Sequence, residues 1–242
     1  MKAVILAAGN PGRDFPPGGR QKCLLHQGGR VLLDISLDAL FAAGVRELRV
    51  VLGYNARSVE AYLARKSIAA ELVYNEDYAR DSVRSLDVGL AGLDDDALIV
   101  CPDLVGVDAA LVEAFLRTDP RRLAWIRSEI PWDHDRGAIR YDEIYRPDID
   151  NSIVKIPRHL LGLFEGARAR ADRFIARYHW ETPTGPGTGV YFGAAITETF
   201  WDYRPIEEVV IPRPLPDVDY YHQTDEYRVA FLAGARRPRA TS

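Results

Sequence analysis

The sequence predicts an α/β protein, a mostly parallel sheet with helices on both faces in a three-layer α/β/α arrangement. Short apolar runs alternate with segments of helical apolar spacing through residues 1–127. That alternation calls for parallel strands joined by right-handed crossovers. Its first run, Val4-Ile5-Leu6, passes straight into Ala7-Ala8-Gly9, so a buried strand ends in residues too small to screen the backbone. The chain has 242 residues and is 47% hydrophobic, enough for one substantial core and one domain over 1–242. Within it we expect two halves, about 1–125 and 126–234, and an Arg-rich frayed tail over 235–242.

The elements follow in order. Gly28-Gly29 marks a turn, and Val31 to Ala43 carries a helical pattern that Gly44 stops. Leu48 to Leu52 reads as a second buried strand closed by Gly53, Asn55 to Arg65 as a helix, and Glu71 to Tyr74 as a third strand. Ser82 to Leu93 is helical, Ala97 to Cys101 a fourth strand, 108–118 a helix and 122–127 a strand. Residues 130–152, rich in charge, Tyr and Pro, read as an irregular excursion or substrate lid, and Leu160 to Ile175 as a helix.

Net charge is formally −4 with both signs mixed along the chain, which predicts neither a nucleic-acid-binding patch nor a membrane-surface helix. Met1 to Ala8 is too short for a signal peptide, and no apolar run approaches a membrane span. Cys23 and Cys101 lie in apolar surroundings and read as reduced thiols of a cytoplasmic protein. The histidines show no HExxH or Cys/His spacing for zinc, and no GxSxG signals a serine nucleophile.

The loop after the first strand carries the chemistry. Gly9 and Gly12 can take positive φ and let a ligand reach the main chain, with Arg13, Arg20 and Lys22 behind them. A strand feeding a glycine loop backed by fixed cations is a way to hold a polyphosphate. There is no GxxxxGK[ST] and no GxGxxG, so the spacing excludes the two commonest phosphate loops. Lysine occurs only at Lys2, Lys22, Lys66 and Lys155, so one in this loop points to a need for a compact charge, with chance as the competitor.

Leu6-Ala7-Ala8-Gly9 followed by Arg13 and Lys22 resembles the LAAGxGxR…K opening of nucleotidyltransferases with a GT-A-like, Rossmann-like fold. The second glycine falls at Gly12, with Pro11 in its usual place. Phe41-Ala42-Ala43-Gly44-Val45 and Val51-Leu52-Gly53-Tyr54 are similar to that family's "aaGv…vvGY" segment. Tyr74-Asn75-Glu76-Asp77-Tyr78 with Ser85-Leu86 is similar to an "N..Y…SL" form found in members acting on phosphocholine and phosphonates. The resemblance implies that Leu6, Ala7, Ala8, Gly9, Asn10, Gly12 and Arg13 hold the nucleotide. Lys22 would then meet the α-phosphate, with Asn75 and Ser85 toward the base or a phosphate. From the residues alone, Asn75 reads equally as a turn former, and Asp81 or Ser82 as a helix cap.

Asp103 stands just past the carboxyl end of the strand over 97–101, where the family holds its metal; the implied cofactor is Mg²⁺. A loop aspartate can also be only a cap, but Asp108 already reads as the cap of the helix that follows. Arg13, Lys22 and Asp103 are therefore the expected catalytic set. Gly187 to Gly193 resembles the family's "GiY.f" strand and brings Gly189 and Tyr191 to the acceptor. The Glu-Lys-Pro lysine is missing at Glu181-Thr182-Pro183, and Lys155 is the expected substitute. Trp180, Tyr191, Trp201 and Tyr203 read either as an aromatic wall or as core. Thr224 to Ala230 matches the segment whose first aspartate completes the metal site. Gln223 replaces that aspartate, leaving Asp225 or Asp219 as candidates, and Asp225 reads equally as a helix-start acid.

These signals imply transfer of NMP, first CMP, from an NTP to a small phosphate- or phosphonate-bearing acceptor with release of pyrophosphate. The implied partners are thus CTP or another NTP and that acceptor, without nucleic acid or membrane; a homodimer is among the assemblies allowed. The rivals are a sugar-1-phosphate nucleotidyltransferase using UTP or dTTP and a non-catalytic nucleotide-binding relative.

Overall fold

Strand β1 (Lys2–Ala7) sends Ala3, Ile5 and Ala7 to one face of a sheet and Val4 to the other, as a run buried on both sides must. A computed structural model of the chain describes residues 1–9, 19–79, 83–129, 149–167, 169–170, 172–173, 195–196, 199, 206–212 and 223–229. After β1 come a hairpin of β2 (His26–Gln27) and β3 (Arg30–Val31), helix α1 (Leu32–Ala42) and strand β4 (Leu48–Leu52). Helix α2 (Ala56–Arg65), strand β5 (Glu71–Tyr74), helix α3 (Val83–Leu90) and strand β6 (Ala97–Val100) follow. Helix α4 (Ala109–Arg117) and strands β7 (Ala124–Ser128), β8 (Ile149–Ile156) and β9 (Glu207–Ile211) come next, and two 3-10 helices, Lys22–Leu24 and Arg158–Phe164, interrupt the series.

The seven-stranded sheet has the order β5-β4-β1-β6-β8-β7-β9. β5, β4, β1 and β6 are mutually parallel, β7 is parallel to β9, and β8 alone runs against its neighbours. Leucines of α1 and Val59 of α2 pack with α4 on one face, while α3 and the turn around Phe164 cover the other. The expected three-layer α/β/α sandwich is the observed fold. From β1 the chain moves outward to β4 and β5, then returns to β6 on the other side of β1. The switch point of the parallel sheet therefore lies between β1 and β6, and ligands of such sheets bind outside the strand carboxyl ends there.

Two expectations are corrected. Residues 149–152 belong to β8 and not to an irregular excursion: Ile153 and Val154 fill the core beside β6, whose backbone needs a second ladder. The helix expected over 160–175 is broken in two: a 3-10 helix over Arg158–Phe164 stops before Gly166, at φ +70°, and the described residues 167, 169–170 and 172–173 beyond it are α-helical. That left-handed conformation suits glycine and ends the element.

Candidate active site

The carboxyl ends of β1, β4 and β6 meet around Ala8. Ala8 O accepts a hydrogen bond from Tyr54 N at 3.0 Å, fastening the end of β1 to the turn after β4. A Cβ on Gly53 would lie 2.7 Å from Ala8 O and 2.6 Å from Tyr78 Cβ, so the missing side chain is what lets these segments touch. Gly9 does not use positive φ, as the sequence had suggested; among the described residues nothing lies within 4 Å of where its Cβ would stand. Leu6, Ala7 and Ala8 lead up to it, with Ala7 and Ala8 both buried.

The chain returns at Gly19, whose carbonyl accepts from Asn55 Nδ2 at 3.4 Å. The 3-10 helix Lys22–Leu24 begins at once, with Cys23 and Leu24 buried under it. That anchoring directs Lys22 across the switch point, where its Nζ lies 2.7 Å from Asp103 Oδ2, with side chains 19% and 25% exposed. Residues 81 positions apart, singled out separately in the sequence, thus form one ion pair past the carboxyl ends of β1 and β6. Asp103 is not consumed as a cap, because Asp108 Oδ1 accepts from Leu111 N at the start of α4. Beneath the pair, burial and then the charge of Asp103 hold the Cys23 thiol protonated, above the ordinary thiol range, so it is an inert packing group.

Asn75 and Ser85 are also brought together, but they face one another. Asn75 Nδ2 donates to Ser85 Oγ at 3.0 Å, and both side chains are buried. Asn75 Oδ1 accepts from Asp77 N, the turn-forming role that the sequence also allowed. This pair braces the segment after β5 against α3.

Lys155 does not join the site. β8 is antiparallel to β6 and pairs Lys155 with Leu98, roughly 10 Å of strand below Cys101. The lysine is 1% exposed, and its Nζ donates to Thr118 O at 2.9 Å and Thr118 Oγ1 at 2.7 Å, at the carboxyl end of α4. Desolvation pushes its pKa down, with Asp96, Glu207 and Asp119 partly offsetting that. Asp225 is committed elsewhere too: its Oδ2 accepts from Gly29 N at 2.7 Å, and it lies 3.8 Å from Arg228. Glu226 beside it accepts from His26 N and meets His26 Nδ1 at 2.6 Å, so both carboxylates fasten residues 223–229 to the β2–β3 hairpin. Asn10, Gly12, Arg13, Gly189, Tyr191, Trp180, Trp201, Tyr203, Asp81, Ser82 and Asp219 lie outside the described residues.

One residue went unnoticed in the sequence. Gln21 is 2% exposed, donates from Nε2 to Ala7 O at 2.7 Å and Gly9 O at 3.1 Å, and accepts on Oε1 from Cys23 N at 2.6 Å. The available signal was its position next to Lys22, where a loop leaving β1 has to be pinned again.

Residues 3–142 match the model of the MobA-like NTP transferase domain. The chain belongs to this family. It is accordingly a nucleotidyltransferase of the MobA-like NTP transferase class. Solved structures of similar fold agree along nearly the whole chain. An inositol-1-phosphate CTP transferase from T. maritima has TM-score 0.65 and 12% identity, covering 99% of this chain and 98% of its own. A nucleotidyl transferase from Methanothermobacter has TM-score 0.60 and 21% identity, covering 97% and 99%. Rv0371c from Mycobacterium tuberculosis has TM-score 0.59 and 19% identity, covering 96% and 98%, and a further structure of it is a complex with manganese. No curated protein sequence matches the chain significantly. Among the described residues, no helix of this NTP transferase is long and apolar enough to cross a membrane.

Proposed function

We propose that this NTP transferase moves CMP from CTP to a phosphate or phosphonate oxygen of a small acceptor, releasing pyrophosphate. The Lys22–Asp103 pair at the switch point is the observation that carries this reading. In-line attack on the α-phosphorus needs no covalent enzyme intermediate; it needs positioning and neutralisation of charge as pyrophosphate leaves. The backbone at Gly9, with Asn10, Gly12 and Arg13, receives the β- and γ-phosphates. Lys22 turns its ammonium from Asp103 to the α-phosphate, a short swing of a flexible side chain between two anions. Gly189 and Tyr191 belong to the acceptor half.

The donor set suits Mg²⁺. Asp103 supplies a partly exposed hard carboxylate at the switch point. Mg²⁺ takes one or two protein carboxylates and completes its shell with phosphates and water. When bound, it supplies charge neutralisation at the α-phosphate and acceptor oxygens. Asp225 is tied to the β2–β3 hairpin through Gly29 N, so we assign the metal to Asp103 first.

The choice of CTP is supported by the "N..Y…SL" segment and by the CTP-using structural neighbour. The test is pyrophosphate release with Mg²⁺, crossing CTP, UTP, dTTP, ATP and GTP with phosphocholine, 2-aminoethylphosphonate, inositol 1-phosphate, glycerol 3-phosphate and sugar 1-phosphates. Turnover with CTP and a phosphate or phosphonate acceptor is expected. Turnover confined to UTP or dTTP with a sugar 1-phosphate would replace this reading. NTP binding without turnover of any acceptor would favour the non-catalytic nucleotide-binding relative, and no NTP binding at all would sink the nucleotide reading.

A further inference from the structure

We propose that Gln21 is a positioning residue of the nucleotide site: its amide ties the end of β1 to the turn that bears Lys22 and sets the backbone from which Lys22 projects. This rests on the nucleotide reading given above. The three bonds already described use both N–H donors and the carbonyl acceptor of the amide. None of the partners is a generic core group. Ala7 is the last residue of β1, Gly9 is the start of the loop, and Cys23 N belongs to the 3-10 helix whose first residue is Lys22. One side chain therefore holds Ala7 and Gly9 to the turn bearing the cation and caps that turn.

The chemistry of the partners makes the residue type specific. Two carbonyls and one N–H ask for two donors and one acceptor on a planar end group. A carboxylate would set negative oxygen against Ala7 O and Gly9 O, and an apolar side chain would take this partner from the backbone of buried Ala7 and Cys23. Asparagine keeps the amide but is one methylene short of spanning both sides. Buried, fully bonded polar groups of this kind fix one conformation among several of similar packing. Here the fixed conformation is that of the Lys22 backbone, while Tyr54 N and Asn55 Nδ2 hold Ala8 O and Gly19 O from the β4 side.

The test is titration of CTP and the other NTPs with Mg²⁺ into wild type, Gln21→Glu, Gln21→Met, Gln21→Asn, Lys22→Ala and the double variants with Lys22→Ala. Circular dichroism and Tm are recorded for each, and Gln21→Asn, the mildest change, keeps the comparison open where the others do not fold. Each folded Gln21 variant is expected to bind NTP about tenfold more weakly or worse. Added to Lys22→Ala, the same change should cost little more, because Gln21 acts through Lys22. Wild-type affinity in folded Gln21 variants, or full additivity with Lys22→Ala, would overturn the role of Gln21. Failure of the wild type to bind any NTP would instead remove the nucleotide reading beneath it.

Discussion

At the amino edge of the parallel strands, two buried cations each close the carboxyl end of a helix. Arg49 Nη1 donates to Gly89 O and Ala91 O at the end of α3, and Lys155 Nζ donates to Thr118 O at the end of α4. Nearby, Arg49 and Lys2 both pair with Glu71, and the Met1 ammonium pairs with Asp95. At the carboxyl edge lies the partly exposed pair of Lys22 and Asp103 beside the Gly9 backbone. The helices account for the contrast. In an α/β unit they run back against the strands, so their negative ends gather at the amino edge and their positive ends at the carboxyl edge. A cation at the amino edge completes the scaffold. One at the carboxyl edge works against the helix dipoles and is explained by an anion, Asp103 here and, in the function proposed above, a phosphate.

This contrast can be broken or sharpened by substitution. The largest effect is expected from Asp103→Asn, which should lower turnover about 100-fold or more while leaving the melting temperature unchanged. Steady-state kinetics beside thermal melts would check it; normal turnover would remove Asp103 from the chemistry. Next comes Gly53→Ala, where the new methyl meets Tyr78 and Ala8 O, and about 1–3 kcal/mol of stability should be lost in urea unfolding. At the other edge, Thr118→Val deletes the hydroxyl that accepts from Lys155 and donates to Phe115 O. It should cost about 1 kcal/mol of stability with no change in turnover. The smallest effect concerns Glu71, whose pKa is held below the ordinary glutamate range by hydrogen bonds from Arg49 and then Lys2. Its folded pKa is depressed, so its contribution is present above the unfolded pKa and is lost as pH falls through the folded one. Wild type should therefore lose stability more steeply than Glu71→Gln as pH drops below the usual glutamate range; parallel curves would mean that the pairing adds nothing.

Much of this was legible in the sequence. Runs such as Leu48 to Leu52 and Glu71 to Tyr74 marked strands to the residue, because they are apolar or β-branched and bounded by Gly or Asn. Lys22 and Asp103 were found separately from loop composition and strand-end position, and the fold joined them. Lys155 misled because its edge of the sheet depends on strand direction. Val154-Lys155-Ile156 reads the same in either sense, and only the antiparallel return of β8 sends it to the amino edge. Ser85 looked like a helix-start hydroxyl facing a ligand, but a buried hydroxyl takes whatever partner lies opposite, here Asn75. Gln21 was silent because its partners are backbone groups, which no side-chain pattern records. The tie of Asp225 and Glu226 to the hairpin, about 200 positions away in sequence, likewise has no local signature.

In the function proposed above Lys22 serves the chemistry, whereas Lys155 serves the fold. The most direct test measures pyrophosphate release and thermal stability together for Lys22→Ala and Lys155→Met. Lys22→Ala should lose about 100-fold or more in turnover at an unchanged melting temperature. Lys155→Met should lose about 1–3 kcal/mol of stability while keeping wild-type turnover wherever it is folded. Full turnover in Lys22→Ala, or turnover abolished in a normally stable Lys155→Met, would contradict that division of roles.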